Sequence, residues 1–312
     1  MKTKINPTTF IDVGNIDKSR PANRPPKNNW KVELLKKGVQ VLQHVSPKTA
    51  SEIVWSQFTY PGKVAFTEKQ QKLIEKAEKS SMSYLGHDIV TYRWGTDGPK
   101  VLLSHGWRSK IADFRALIET LIDAGYVVEG LDWKAHGNSG GSKTALPEMR
   151  DILKNYYVQH APFHAVVGYS IGGLAAGITL SEVSKDLLPK KMFLIAAPPF
   201  IRYFFQEIIS DLGFSHRVYE EMCDLVDKNY HQHIDYFDIR TKADHFKESD
   251  LHLIYDETDE TIPFKRGLEM QETFPYAKFV HTKGLGHYKI ISHQEILSYL
   301  KTNLLAEVDS HC

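Results

Sequence analysis

Ser170 has glycine at both second neighbours, Gly168 and Gly172, in the stretch VVGYSIGGLAAG that runs from Val166 to Gly177. A serine hydroxyl is a poor nucleophile until a base removes its proton. The spacing is what a tight strand-to-helix turn demands. There the serine takes strained backbone angles, and the residues two before and two after it crowd against the neighbouring helix and strand, so both must be small. Such a turn lifts the Ser170 hydroxyl above the sheet edge and aims the Ile171 N–H at the place where an oxyanion would form. The valines ahead of it read as a buried strand and the small residues behind it as a helix, which is the context the pattern requires.

The chain has 15 histidines, so position must choose the base. His287, in KGLGHYKI, follows a strand pattern and precedes the last helix, in a glycine-flanked loop that can carry its ring to Ser170. His281 falls inside the strand and His293 at the helix start, which suits structural or solvent-facing roles. The base needs an acid to hold its tautomer and stabilise its charge. LIYDETDETIPF offers Asp259, far enough into the loop to turn toward His287, and Asp256, nearer the strand end; Asp259 is the expected partner and Asp256 its rival. After the strand pattern KVLLS, the residues SHGW place the Trp107 N–H as a second oxyanion donor, with Gly106 permitting the close turn. His105 reads as structural, and so do His136 and Gly137 at the rim.

These residues need a scaffold. The strand patterns KVLLSHG, YVVEGLD, FHAVVG, KKMFLIAAP, DLHLIYDE and AKFVHT alternate with helical patterns, among them IADFRALIETLIDAG, TALPEMRDILKNYYVQH and PFKRGLEMQETF. A hairpin, YLGHDIVTYRWG with Gly86-His87 near its turn, comes first, and HQEILSYLKTNLLAEV is a final helix. Alternation of this kind implies a mostly parallel sheet with helices on both faces. The core is expected over 81–198 and 250–307. Residues 199–249 are aromatic-rich, helix-like and too long for a simple crossover, so they read as an inserted helical lid.

Residues 1–29 include RPANRPPKNN and read as an extended or disordered arm, and residues 30–80 as an N-terminal helical segment. Within the latter, Trp30, Leu34, Leu35, Val41, Leu42 and Val45 fall near helical spacing with lysines interleaved. Docking of this amphipathic helix on the main domain is expected, with contact to an anionic membrane surface through 30–45 as the alternative. FTEKQQKLIEKAEKS reads as a polar surface helix. The balance of 39 Lys and Arg against 38 Asp and Glu argues against a nucleic-acid binder. Cys223 and Cys312 form no metal or disulfide framework and read as plain thiols in a reducing compartment. The first residues lack a signal-peptide core, and no stretch of about 18 apolar residues occurs, so a cytoplasmic protein is expected. The sequence carries no signal of oligomeric state.

From about Tyr84 to Leu300 the chain resembles the α/β-hydrolase superfamily. LLSHGW is similar to its oxyanion-loop motif. LDWKAHGNSGG is similar to its D-x-x-G-H-G-x-S stretch, with Ala135 where glycine is usual. GYSIGG matches the nucleophile elbow, with Tyr169 where histidine is common, and ETDETIPF and GLGH match the acid and histidine loops. The order Ser170, Asp259, His287 is the superfamily's order. The resemblance implies a three-layer α/β-hydrolase fold with a short helical lid, similar to bacterial serine hydrolases of the esterase/lipase type. Serine at the nucleophile position argues against dehalogenase and epoxide hydrolase chemistry, where the family places aspartate. The elbow also lacks the Ser-Trp pair of proline iminopeptidases. The expected chemistry is cleavage of a small-molecule acyl ester through an acyl-enzyme, without metal or organic cofactor. A thioesterase, acyltransferase or C–C bond hydrolase would use the same residues, and a non-catalytic binding protein on this fold is the alternative from another class.

Overall fold

Side chains of the central strands point alternately into two cores, one on each side of a sheet. Val166, Leu194 and Leu253 face one core, and Val167, Phe193 and Ile254 face the other. A sheet buried on both faces needs apolar runs rather than apolar–polar alternation, which is why KVLLS and AVVGY read as continuous hydrophobic strands. The computed structural model describes residues 8–14 and 30–305. Its nine strands are β1 (Thr8–Phe10), β2 (Glu78–Tyr84), β3 (His87–Trp94), β4 (Lys100–Ser104), β5 (Val127–Leu131), β6 (Ala165–Tyr169), β7 (Lys191–Ile195), β8 (Asp250–Asp256) and β9 (Lys278–Thr282). They lie in the order β1-β9-β8-β7-β6-β4-β5-β3-β2. The β2–β3 and β3–β5 pairs are antiparallel and the others parallel.

The helices are α1 (Trp30–Leu42), α2 (Pro47–Phe58), α3 (Glu68–Glu75), α4 (Arg115–Asp123), α5 (Leu146–His160), α6 (Ile171–Ser181), α7 (Arg202–Leu212), α8 (His216–Tyr230), α9 (Phe264–Thr273), α10 (Gly286–Lys289) and α11 (Gln294–Leu305). On one face α5 and α6 bury Met149, Ile152 and Leu174; on the other α4 and α11 bury Leu117, Ile118, Ile296 and Leu300. This is the three-layer arrangement expected from the alternation of patterns.

Three regions differ from the sequence reading. The helix expected through Ser80 stops at Glu75, and β2 begins at Glu78, inside the segment read as helical. Pairing decides this: β2 runs antiparallel to β3 across a two-residue turn, Leu85-Gly86, with φ of 47° and 75°. Positive φ at both turn residues matches the twist of the paired strands. Nor is α3 a free surface helix, because it buries Leu73 and Ile74 and its Leu73 carbonyl accepts a hydrogen bond from Trp94 Nε1. Second, α2 lies within the segment 30–80 read as helical, although no separate helix was placed there. Its start is nonetheless conventional, with Ser46 accepting from the Thr49 N–H and proline in the first turn. Third, the N-terminal arm contributes β1, which pairs parallel to β9; residues 1–7 and 15–29 of that arm lie outside the described residues.

The insertion between β7 and β8 carries α7, α8 and two 3₁₀ stretches, Ile234–Phe237 and Ile239–Phe246. Phe205, Met222, Phe237 and Phe246 are buried in the same core as α5 and α6, so the insertion is part of the body and excising it would open that core. The first helix rests on it, with Gln40 Nε2 donating to the Leu212 carbonyl and the Ser215 N–H donating to Gln43 Oε1. Val41 of α1 and Val45 in the turn after it are exposed. Among the described residues no helix is long and apolar enough to cross a membrane.

Candidate active site

The turn from β6 into α6 has the strain its sequence implies. Ser170 adopts φ 56° and ψ −134°, a region L-residues rarely occupy. Its N–H donates to the Ile195 carbonyl, which pins the elbow to β7. A Cβ at Gly168 would lie 2.6 Å from Gly173 Cα, and one at Gly172 would lie 2.2 Å from the His105 carbonyl oxygen. No side chain fits either place, so the two glycines are required by contact with α6 and with the loop after β4.

The structure brings together the three side chains singled out in the sequence. His287 Nε2 is 3.0 Å from Ser170 Oγ, and His287 Nδ1 is 2.7 Å from Asp259 Oδ2. All three are buried. Asp259 Oδ1 also accepts from the N–H groups of Thr261 and Ile262, which fixes the carboxylate so that one oxygen faces the ring. The histidine lies in the first turn of the short α10 rather than in an open loop.

Asp256, the rival acid, ends β8 and does something else. Its carboxylate accepts from Thr258 N–H and Oγ1, from Thr282 Oγ1, and from the successive N–H groups of Gly284, Leu285 and Gly286. Burial pushes its pKa up, but the hydrogen bonds outweigh it and hold the pKa below the usual carboxylate range. The carboxylate therefore ties down the loop that leads into His287. Tyr169 holds the same loop from the elbow side: its hydroxyl donates to the His287 carbonyl and its ring lies 5.1 Å from the imidazole. Burial raises the Tyr169 pKa well above its ordinary value, so the hydroxyl stays a donor.

Across Ser170, the loop after β4 approaches closely. A Cβ at Gly106 would lie 3.0 Å from Ser170 Cβ, so any side chain there would crowd Ser170. Among the described residues no protein acceptor takes the loop N–H of Trp107 or the Ile171 N–H, the first of α6. The Trp107 ring stacks on Phe58 and meets His136 edge-on. His105 donates from Nδ1 to the Gly106 carbonyl and accepts at Nε2 from the Trp133 N–H; His136 donates from Nδ1 to the Lys134 carbonyl and accepts at Nε2 from the Arg108 N–H. Burial pushes their pKa values down, to about 4 for His105 and about 3 for His136. Both are therefore neutral supports of the loop, as the sequence suggested.

The site opens into a cavity of about 630 Å³, within the range of small-molecule pockets. Its walls include residues that the sequence reading passed over: Phe58 of α2, Val64, Gln70 of α3, and Lys110. Phe58 and Trp55 recur at helical spacing within PKTASEIVWSQF, a signal that could have found α2. Among the described residues no group of three or more His, Cys, Asp or Glu side chains could hold a metal ion.

A strained serine elbow at the carboxyl end of a mostly parallel sheet, facing a buried histidine and acid, defines an α/β-hydrolase of the serine hydrolase type. Solved structures share the fold at low identity. An esterase from Pyrococcus furiosus is 21% identical, with 79% of this chain and 96% of that chain covered and a TM-score of 0.58. A bromoperoxidase from Bacillus anthracis is 18% identical, with 74% and 100% covered and a TM-score of 0.56. A thioesterase domain from the curacin biosynthetic pathway is 15% identical, with 73% and 99% covered and a TM-score of 0.51. Comparison with curated proteins gives no match. The family described as Serine hydrolase (FSH1) matches residues 124–288, just over half of the chain and a span that includes Ser170, Asp259 and His287. The chain belongs to this family.

Proposed function

We propose that the protein is a carboxylic ester hydrolase that works through an acyl-enzyme on Ser170. The observation that carries this reading is the chain of contacts Ser170 Oγ–His287 Nε2 at 3.0 Å and His287 Nδ1–Asp259 Oδ2 at 2.7 Å at the cavity floor. His287 Nε2 takes the proton as Ser170 Oγ bonds to the acyl carbon. The carbonyl oxygen becomes an oxyanion held by the N–H groups of Trp107 and Ile171. On collapse the bond to the leaving oxygen breaks, and His287 returns the proton to that oxygen. Water then repeats the sequence, releasing the acid and restoring Ser170. Asp259 holds the imidazole in the tautomer that presents Nε2 to the serine. The apolar insertion side chains Ile201 and Phe204 roof the cavity, which suits an acyl chain and gives the insertion the role of a lid.

The test is a series of p-nitrophenyl esters of graded chain length with wild-type protein and Ser170→Ala. Ser170→Ala is expected to lower kcat by about 10⁴ or more while the fold survives. Near-wild-type hydrolysis by the purified variant, or failure of the wild type to react with a fluorophosphonate, would sink the reading.

A further inference from the structure

The cavity has two sides of unlike chemistry, divided by the plane of the sheet. On one side Phe58, Leu146, Ile201 and Phe204 line it, and all pack with the core beneath the insertion. On the other side it runs past His287 to Gln70, Arg108, Ser109 and Lys110. Tyr288 and Ile291 also line it there, and Ile291, with Ile111 and Leu285 behind the wall, belongs to the opposite core. His287 stands on this second side, and the group it must reprotonate lies next to its Nε2. The polar side is therefore where a leaving group sits, and the apolar side where an acyl group sits.

Charge on the polar side is uneven. Asp113 is the carboxylate lining it, and both of its oxygens are engaged: Oδ1 by Gln70 Nε2 and Lys110 Nζ, Oδ2 by Ser109 Oγ and the Lys110 N–H. Lys110 is buried and matches that charge at 3.1 Å. Arg108 is left over. It stands exposed at the rim and forms no ion pair among the described residues, and its backbone is held at φ 53° by the bond from its N–H to His136. The cavity wall thus carries one uncompensated positive charge, on the leaving-group side. We infer that the leaving group of the natural substrate bears an anion, a carboxylate or a phosphate, that meets Arg108. This rests on the ester hydrolase reading above.

The experiment compares two butyrate esters with nearly equal leaving groups, para-butyryloxyphenylacetate and its neutral amide, para-butyryloxyphenylacetamide. The methylene insulates the phenol from the charge, so the chemistry at the carbonyl is matched. The anionic ester is expected to have a kcat/KM about fivefold higher at low salt, the size available to an exposed ion pair, with the advantage fading in molar salt. Arg108→Gln should bring the ratio close to one, and Arg108→Lys should keep most of it. A para-butyryloxybenzylphosphonate separates the two anions: a larger advantage than the carboxylate assigns phosphate, a smaller one carboxylate. Equal rates on the charged and neutral esters, or an advantage that survives Arg108→Gln, would overturn the subsite while leaving the hydrolase reading intact. Hydrolysis of none of the esters would overturn both.

Discussion

His287 has one ring nitrogen on Asp259 and the other on Ser170, whereas both nitrogens of His105 and of His136 are engaged by backbone groups. All three rings are buried and lie close to the elbow. Proximity to the serine therefore does not distinguish a base from a support; the partners of the two nitrogens do. A ring between a carboxylate and a hydroxyl can take a proton and keep it. A ring between a backbone carbonyl and a backbone N–H would lose an acceptor on protonation, and would put a charge in the core that burial disfavours.

The largest effect should come from disturbing the first arrangement at its acid. Asp259→Asn puts an amide against Nδ1 that can donate, which favours the tautomer with the wrong nitrogen facing Ser170. A fall in kcat of about 10⁴ with little change in KM is expected, the size of the equivalent change in a serine protease triad. Steady-state kinetics on a short-chain ester read both constants. A variant with kcat within tenfold of wild type would show that Asp259 does not orient His287.

Asp256 is three residues away and should respond in a different currency. Its oxygens accept from three successive backbone N–H groups and from two threonine hydroxyls. Asp256→Asn removes the charge from these bonds and turns a donor toward donors. A loss of about 2–3 kcal/mol in stability is expected from that change, with kcat falling less than tenfold at temperatures where the variant is folded. Urea unfolding and kinetics on the same preparation separate the two. A dead but fully stable Asp256→Asn would move the acid role to Asp256.

That pair also shows what a sequence can and cannot disclose. The elbow was legible because its requirements are local: Gly168, Ser170 and Gly172 lie within five residues, and each is dictated by the turn itself. The order of Ser170, Asp259 and His287 was legible because each follows a recognisable strand. The anchoring by Asp256 was not, since the residue type is the same as at 259 and only the path of the loop decides which carboxylate faces the ring. The hold of Tyr169 on the histidine loop was not legible because its acceptor, the His287 carbonyl, is 118 residues away. The polar wall from Gln70 and Lys110 depends on α3 docking against the 3₁₀ turn at Ile111–Phe114, a long-range contact without a local signature. β2 was misread because a strand in a hairpin depends on its partner more than on its own propensity.

Acid should expose the second arrangement. In an unfolded chain His105 and His136 titrate near 6.5, but in the folded protein burial holds them down to about 4 and about 3. Between these values the unfolded state binds more protons, so stability from the two rings is present above pH 6.5 or so and is lost as pH falls toward 4 and below. Buried Asp132, whose pKa is raised by burial, acts with the opposite sign, but it is one carboxylate against two imidazoles. A net loss of stability between about pH 7.5 and about pH 5 is expected, read from urea midpoints. His136→Gln, whose amide can keep one acceptor and one donor, should flatten that slope. Equal midpoints at the two pH values in the wild type would mean that the rings are not held neutral.

The smallest effect belongs to the same loop. Ala135 stands where the superfamily usually has glycine, and its φ is 67°, in the left-handed region. An L-residue there costs about 1–2 kcal/mol, which Ala135→Gly would relieve. Two terms oppose that gain. The alanine is buried, so removing its methyl loses about 0.8 kcal/mol of burial. Glycine also loses about 0.5–1 kcal/mol more backbone entropy on folding than alanine does. The three nearly cancel, so the thermal midpoint should move by no more than about 2 °C. The loop is held independently of the side chain at 135, because the Ala135 N–H donates to the Gly140 carbonyl and the Asn138 N–H to Asp132. Activity should therefore follow stability and stay near wild type. A rise of more than about 5 °C would show that the methyl contributes little and the strain much; a comparable fall would show that the buried methyl holds the loop, and with it the Arg108–His136 contact beside the proposed oxyanion donors.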